Sequence, residues 1–148
     1  MTREEKISKL LEIAKSLIGV PYKYGATIED APNFFDCSLF TQYIFGKVGE
    51  EIPRSTILQA EKGEEIKLED IQAGDLLFLH GTWGFYNPKF PQGIGHVVIY
   101  IGEGKTLHAA SNRIQENPVV EKGEVEEKTL DEVIKKYEPL ITTKRIIN

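Results

Sequence analysis

The chain has 148 residues, 41% of them hydrophobic and 28% charged, and a formal net charge of −5. That is the size and make-up of one domain, residues 1–148, with enough apolar side chains to bury a real core. The acidic balance argues against nucleic acid or an anionic membrane surface as partner, since both need a basic footprint, and no apolar stretch approaches a membrane span.

The clearest helix is predicted over residues 2–18, where Ile7, Leu10, Leu11, Ala14, Leu17 and Ile18 follow the i, i+3, i+4, i+7 spacing. Thr2 and Glu5 match a capping box, and Gly19 and Pro21 stop the helix. Its first residues carry both signs of charge and its apolar positions are broken by Lys9, Glu12 and Lys15, unlike the core of a signal peptide. This leaves a cytoplasmic chain, one that has lost its signal, or a segment cut from something larger. Residues 21–36 are aromatic and rich in turn formers. A second helix is predicted from Cys37 to Val48, with Phe40, Tyr43, Ile44 and Val48 on one stripe and Gly49 as its stop. A short third helix is expected over 55–62.

The second half reads as β-structure. Leu76 to Leu79 is a short apolar strand, and His80 at its end is read as structural or loop-facing. Residues 80–95 show no periodicity despite Trp83, Phe85, Tyr86 and Phe90, and are read as a long loop. His96 to Ile101 alternates faces, and Gly102-Glu103-Gly104 signals a hairpin into a return strand, Lys105 to Ala110. The acidic run Glu121 to Glu127 is read as a solvated face. A helix near 129–137 and a strand from Leu140 to Ile147 close the chain. Helices followed by strands favour an α+β fold over a parallel α/β one.

The candidate chemistry centres on Cys37, the single cysteine, which excludes an internal disulfide and a thiolate-cluster metal site. A thiol at a helix N-terminus meets the positive end of the dipole and free N–H groups, which lower its pKa and can hold an oxyanion beside the sulfur. Asp36 next door opposes thiolate formation unless it spends its charge capping the helix. A three-residue hairpin loop pairs Ile101 with Lys105 and sets Val98 opposite His108. His96 and His108 are then diagonal neighbours on one face, roughly 7–8 Å apart at the backbone. A two- or four-residue loop would separate them. On one face, His108 can orient His96, and His96 can serve Cys37 as base and then acid. Each residue also has a plainer reading, as a buried small hydrophobe or a hydrogen-bonded core histidine. A Cys/His/His metal site is disfavoured, because no ligand pair has helical or tight-turn spacing.

Six blocks in order resemble the NlpC/P60 family of papain-like cysteine peptidases. They are Ile18 to Gly25 (IGVPYKYG), Phe35-Asp36-Cys37-Ser38 with Phe40, Ile52-Pro53-Arg54-Ser55-Thr56 with Gln59 and Gly63, Gly74 to Phe78 (GDLLF), His96 to Gly102 (HVVIYIG), and Leu107-His108-Ala109. The similarity runs roughly from Ala14 to Ala110. It implies a papain-like fold, with N-terminal helices packed on an antiparallel sheet, and cleavage of peptidoglycan stem peptides, typically at the γ-D-glutamyl bond to diaminopimelate or lysine. Carried over by position, Cys37 is the nucleophile, His96 the general base and acid, and His108 the residue that orients His96. Tyr22 matches a tyrosine near the oxyanion, and Asp36 and Ser38 match positions that contact the substrate peptide. No metal or cofactor is implied, and the chain is expected to be a monomer acting on a peptidoglycan-derived peptide. The chain departs from the family pattern at Leu39, where glycine is usual, at Gly25-Ala26 in place of a glycine pair, and in longer spans at 22–37 and 80–95. An alternative on the same residues is acyl transfer or amide hydrolysis on a lipid-like or small amide substrate, with the aromatic 80–95 segment as its lid. A binding module without catalysis is the third reading.

Overall fold

A computed structural model describes residues 1–81 and 84–148. Helix α1 spans Arg3–Ser16, and Thr2 and Glu5 form the expected reciprocal capping box. Helix α2 spans Cys37–Gly46 and a one-turn helix α3 spans Thr56–Gln59. Eight strands follow: β1 (Glu64–Glu65), β2 (Leu76–Leu79), β3 (Phe85–Asn87), β4 (Phe90–Ile94), β5 (His96–Gly102), β6 (Lys105–Glu116), β7 (Val119–Thr129) and β8 (Leu140–Arg145). Helix α4, Leu130–Tyr137, connects β7 to β8. Six strands form an antiparallel sheet in the order β1-β8-β2-β5-β6-β7, while β3 and β4 pair separately. This is an α+β architecture, as the run of helices before strands predicts.

Strand β2 explains why its sequence does not alternate. It lies between β5 and β8 and is buried on both faces. Leu76 and Phe78 join Val97, Ile99, Leu107 and Ala109 under α1 and α2, where they meet Leu10, Ala14, Phe40 and Ile44. Leu77, Leu79 and Val98 point the other way and are covered by Val133 of α4. The sheet is therefore covered on both sides, by the N-terminal helices on one and by α4 on the other.

Three expectations need correction. The 80–95 segment is not an irregular loop: Phe85 pairs with Ile94 and Asn87 with Phe90 in the β3–β4 hairpin, which Asn87 tightens by accepting the Phe90 N–H at 2.8 Å. Trp83 lies outside the described residues. The β5–β6 turn has two residues, Glu103 and Gly104, both at positive φ, with Gly102 pairing Lys105. A bulge at Ile101 absorbs the odd residue, so Tyr100 faces Thr106 and Ile99 faces Leu107. Carried one step on, this register sets Val98 opposite His108, as the longer loop would have done. Finally, the acidic run is a strand. Residues 119–129 form β7 along the full length of β6, with His108 opposite Glu126 and Arg113 opposite Glu121. These two glutamates are half-buried against their cross-strand partners, while Glu124 and Glu127 are exposed.

Candidate active site

Cys37 is the first residue of α2, with Asp36 as its N-cap. Asp36 Oδ1 accepts the Leu39 N–H at 2.8 Å, and Oδ2 accepts a 2.7 Å bond from Arg54, which also donates to Ser38 Oγ at 2.7 Å and to the Ala26 carbonyl at 2.6 Å. Gln59 locks the adjacent turn to α2. It is fully buried, donates to the carbonyls of Ser38 and Pro53 and accepts from Thr41. These bonds account for the Pro53-Arg54-Ser55-Thr56 and Gln59 block as the scaffold of the helix start. Asp36 and Ser38, expected at the substrate, have their polar atoms engaged within the chain. Replacing Arg54 with methionine should strand the half-buried Asp36 charge beside the thiol. We expect a loss of about 2 kcal/mol in denaturant unfolding.

The thiol sulfur lies 3.7 Å from Thr56 Oγ1 and next to the backbone N–H of Val97, the residue after His96. It is directed at these groups and makes no hydrogen bond to His96. Burial raises the Cys37 pKa and Asp36 adds to the effect, while Thr56 and the N–H groups of Val97 and Ser38 oppose it. The helix start was expected to lower that pKa. The desolvation of the sulfur and the neighbouring Asp36 charge outweigh the pull of the helix start.

His96 opens β5 and His108 lies in β6, and the register brings them into contact: His96 Nε2 is 2.7 Å from His108 Nδ1. His108 Nε2 lies 3.4 Å from Glu126 Oε2. With Glu126 as acceptor, His108 carries its proton on Nε2 and receives the His96 Nε2–H at Nδ1, which leaves His96 Nδ1 for the thiol side. Burial holds the His96 pKa well below the ordinary imidazole value, with His108 and Lys136 adding to this. Burial lowers His108 to about 4 against the opposing pull of Glu126. The free site is therefore a neutral thiol beside neutral imidazoles. Tyr137, at the end of α4, stacks on His96 with ring centroids 4.1 Å apart and planes 23° apart.

These shifts make stability depend on pH. In the unfolded chain both histidines take up protons below about pH 6.5, and in the folded chain they resist. The His108 contribution is complete above about pH 6.5 and is lost as pH falls toward about 4, and that of His96 has the same sign. His108 alone should account for about 3 kcal/mol over that window. Denaturant midpoints at pH 7 and 4.5 should show the drop, and His108→Asn should flatten it.

A cavity of about 490 Å³ opens beside His96, with Tyr22, Ser111, Glu121, Lys136 and Tyr137 among its walls. Cys37 does not line it; the thiol lies against the amide of Val97, the residue after the cavity-lining His96. Tyr22 arrives there because the segment before α2 pairs with β7: the Tyr22 N–H donates to the Gly123 carbonyl at 2.9 Å, and Gly19 and Val20 bond Val125. A Cβ on Gly123 would collide with the Ala110 carbonyl, so only glycine lets the strands approach here. Tyr22 is hydrogen-bonded to Ser111, which donates to Glu121 at 2.6 Å. Burial raises the Tyr22 pKa, so its hydroxyl stays a proton donor. Among the described residues no three His, Cys, Asp or Glu side chains converge to hold a metal ion.

Sequence reasoning placed Cys37, His96, His108 and Tyr22 together. It missed Glu126, Thr56 and Tyr137. Glu126 was legible only if the acidic run is a strand in register with His108. Thr56 stood within a quoted block but had no assigned contact. Tyr137 carried no signal, being one aromatic at the end of an exposed helix.

A thiol at a helix start, set against an antiparallel sheet that carries an imidazole pair, forms the centre of the site. The chain belongs to the NlpC/P60 family, whose model matches residues 19–133; the last turn of α4 falls beyond the match. A probable endopeptidase of Corynebacterium glutamicum is 38% identical over 103 residues, covering 70% of this chain and 43% of that protein. A γ-D-glutamyl-L-lysine dipeptidyl-peptidase of Bacillus subtilis is 36% identical over 100 residues, covering 68% of this chain and 31% of that protein. The chain thus spans less than half the length of these relatives. The crystal structure of an NlpC/P60 family protein from Bacillus cereus superposes with a TM-score of 0.74 at 27% identity, over 96% of this chain and 40% of that one.

Proposed function

We propose that this protein is a thiol endopeptidase that cleaves peptidoglycan stem peptides at the γ-D-glutamyl bond preceding the diamino acid, diaminopimelate or lysine. The observation that carries the reading is the ordered run of groups from Cys37 past His96 and His108 to Glu126, beside a cavity of peptide-accommodating size. The bond specificity is supported by the Bacillus subtilis relative, a γ-D-glutamyl-L-lysine dipeptidyl-peptidase.

The chemistry follows from the proton positions. His96 Nδ1 takes the Cys37 thiol proton as the sulfur attacks the amide carbonyl carbon. The tetrahedral oxyanion is held by backbone N–H groups at the start of α2, with Tyr22 on the wall of the adjoining cavity. The imidazolium of His96 keeps its orientation by donating Nε2–H to His108, and Glu126 fixes the tautomer of His108. The C–N bond then breaks, His96 gives its proton to the leaving amine, and a thioester remains on Cys37. Water enters, loses a proton to His96 and attacks the thioester. The C–S bond breaks, and the thiolate regains its proton from His96.

Incubation with defined tri- and tetrapeptide muropeptides, read by mass spectrometry, tests the proposal. The expected products are a fragment ending in L-alanyl-D-glutamate and the released diamino acid, free from a tripeptide and with its terminal alanine from a tetrapeptide. Intact muropeptides would overturn the substrate, and aminolysis products with added amines would point to acyl transfer instead.

A further inference from the structure

Tyr137 is the last residue of α4, and its contacts are those of a clamp rather than of a core side chain. Its ring stacks on His96 at 4.1 Å and meets His108 edge-on, at 5.8 Å and 84°. The two imidazoles are themselves close to perpendicular, 73° at 4.9 Å. The His108 hydrogen bond fixes rotation of the His96 ring within its own plane but resists tilting poorly. A ring stacked on its face blocks the tilt. The two constraints together leave His96 one orientation.

Tyr137 is also a partition. It lines the cavity beside His96 and a second cavity of about 490 Å³ on the far side of His108, where Glu126 and Lys128 are also found. Removing its ring would join the two spaces and bring water to both imidazoles.

We propose that Tyr137 is a positioning residue: its ring holds the His96 and His108 imidazoles at their 2.7 Å contact and shields them from water on the α4 side. The proposal deepens the reading of Cys37 and His96 as nucleophile and base, and rests on it. Tyr137 is placed independently of its ring. Val133 packs α4 onto Leu77, Leu79 and Val98, and the Tyr137 carbonyl accepts the Gly81 N–H at 3.1 Å. Loss of the ring therefore leaves the helix docked. The charged and titratable groups facing His96 are His108 from β6, Lys136 beside Tyr137 on α4, and Cys37 of α2 across the Val97 amide, with Glu126 of β7 behind His108. Among these, Tyr137 contributes an apolar wall, not a charge.

The test compares Tyr137→Ala with Tyr137→Phe in the full chain. Tyr137→Ala should lower kcat on a stem peptide by about 10- to 100-fold, the scale of a misplaced catalytic group, with a smaller change in KM. Water reaching His96 should raise its proton affinity toward the ordinary value, so the acidic limb of kcat/KM moves to higher pH. Tyr137→Phe, which keeps the ring, should recover most of the rate and the original limb. The His96 ring titration, followed by NMR in the same variants, reads the clamp without substrate. If no stem peptide is cleaved by the unmodified protein, the functional reading fails while the titration still decides the clamp. An alanine variant with unchanged rate, limb and titration overturns the proposal, and so does a phenylalanine variant as impaired as alanine. Should Tyr137→Ala unfold, Tyr137→Leu keeps an apolar wall without the stacked ring and should show the same loss of kcat.

Discussion

Replacing Cys37 with alanine is expected to lower kcat/KM for stem-peptide hydrolysis by about 10,000-fold or more, to background. The change removes the one atom that forms the thioester, and nothing else in the cavity can replace it. The fold should survive. Asp36 still caps α2, and Arg54 and Gln59 still brace it, since none of their bonds uses the sulfur. The thiol also allows a substrate-free check. Because it is the only cysteine, iodoacetamide labelling reports on Cys37 alone. With the thiol pKa raised and the His96 pKa lowered, the free site holds no standing thiolate–imidazolium pair at neutral pH. Alkylation should be slow near pH 6 and climb in the alkaline range. A fast plateau extending to low pH would contradict the neutral pair.

His96→Ala should cost about 1,000-fold in kcat, the usual contribution of a positioned general base and acid. His108→Asn should cost much less, because asparagine can still accept the Nε2–H of His96. The pH profile separates the two roles. His96 must be neutral to take the thiol proton, and burial holds its pKa well below 6.5. Activity should therefore persist below pH 6.5 on the acidic side. His108→Asn removes the imidazole that adds to this lowering, so the acidic limb should move upward while the rate at pH 7.5 is largely kept. A His108→Asn variant as inactive as His96→Ala would make His108 more than an orienting group.

The amino-acid sequence carried much of this on local rules. The capping box at Thr2 and Glu5, the helix start at Cys37 and the alternation from His96 to Ile101 each depend on neighbours a few residues away. The pairing of His96 with His108 was a parity argument, and it held for a different reason. The turn is one residue shorter than expected, and a bulge at Ile101 restores the register. The 80–95 segment hid a hairpin because Pro88, Pro91 and four glycines mask its alternation.

What the sequence by itself determined is the kind of chemistry and its principal atoms: one thiol at a helix start, two histidines on a hairpin, and the ordered blocks that join them. What only the tertiary structure decided is their electrostatic setting. Glu126 reached His108 because the β6–β7 register sets the two residues opposite each other, and Tyr137 covers His96 because α4 packs on the opposite face of the sheet from Cys37. Burial by these partners makes the resting pair neutral. It depends on long-range packing, which local residue patterns do not encode.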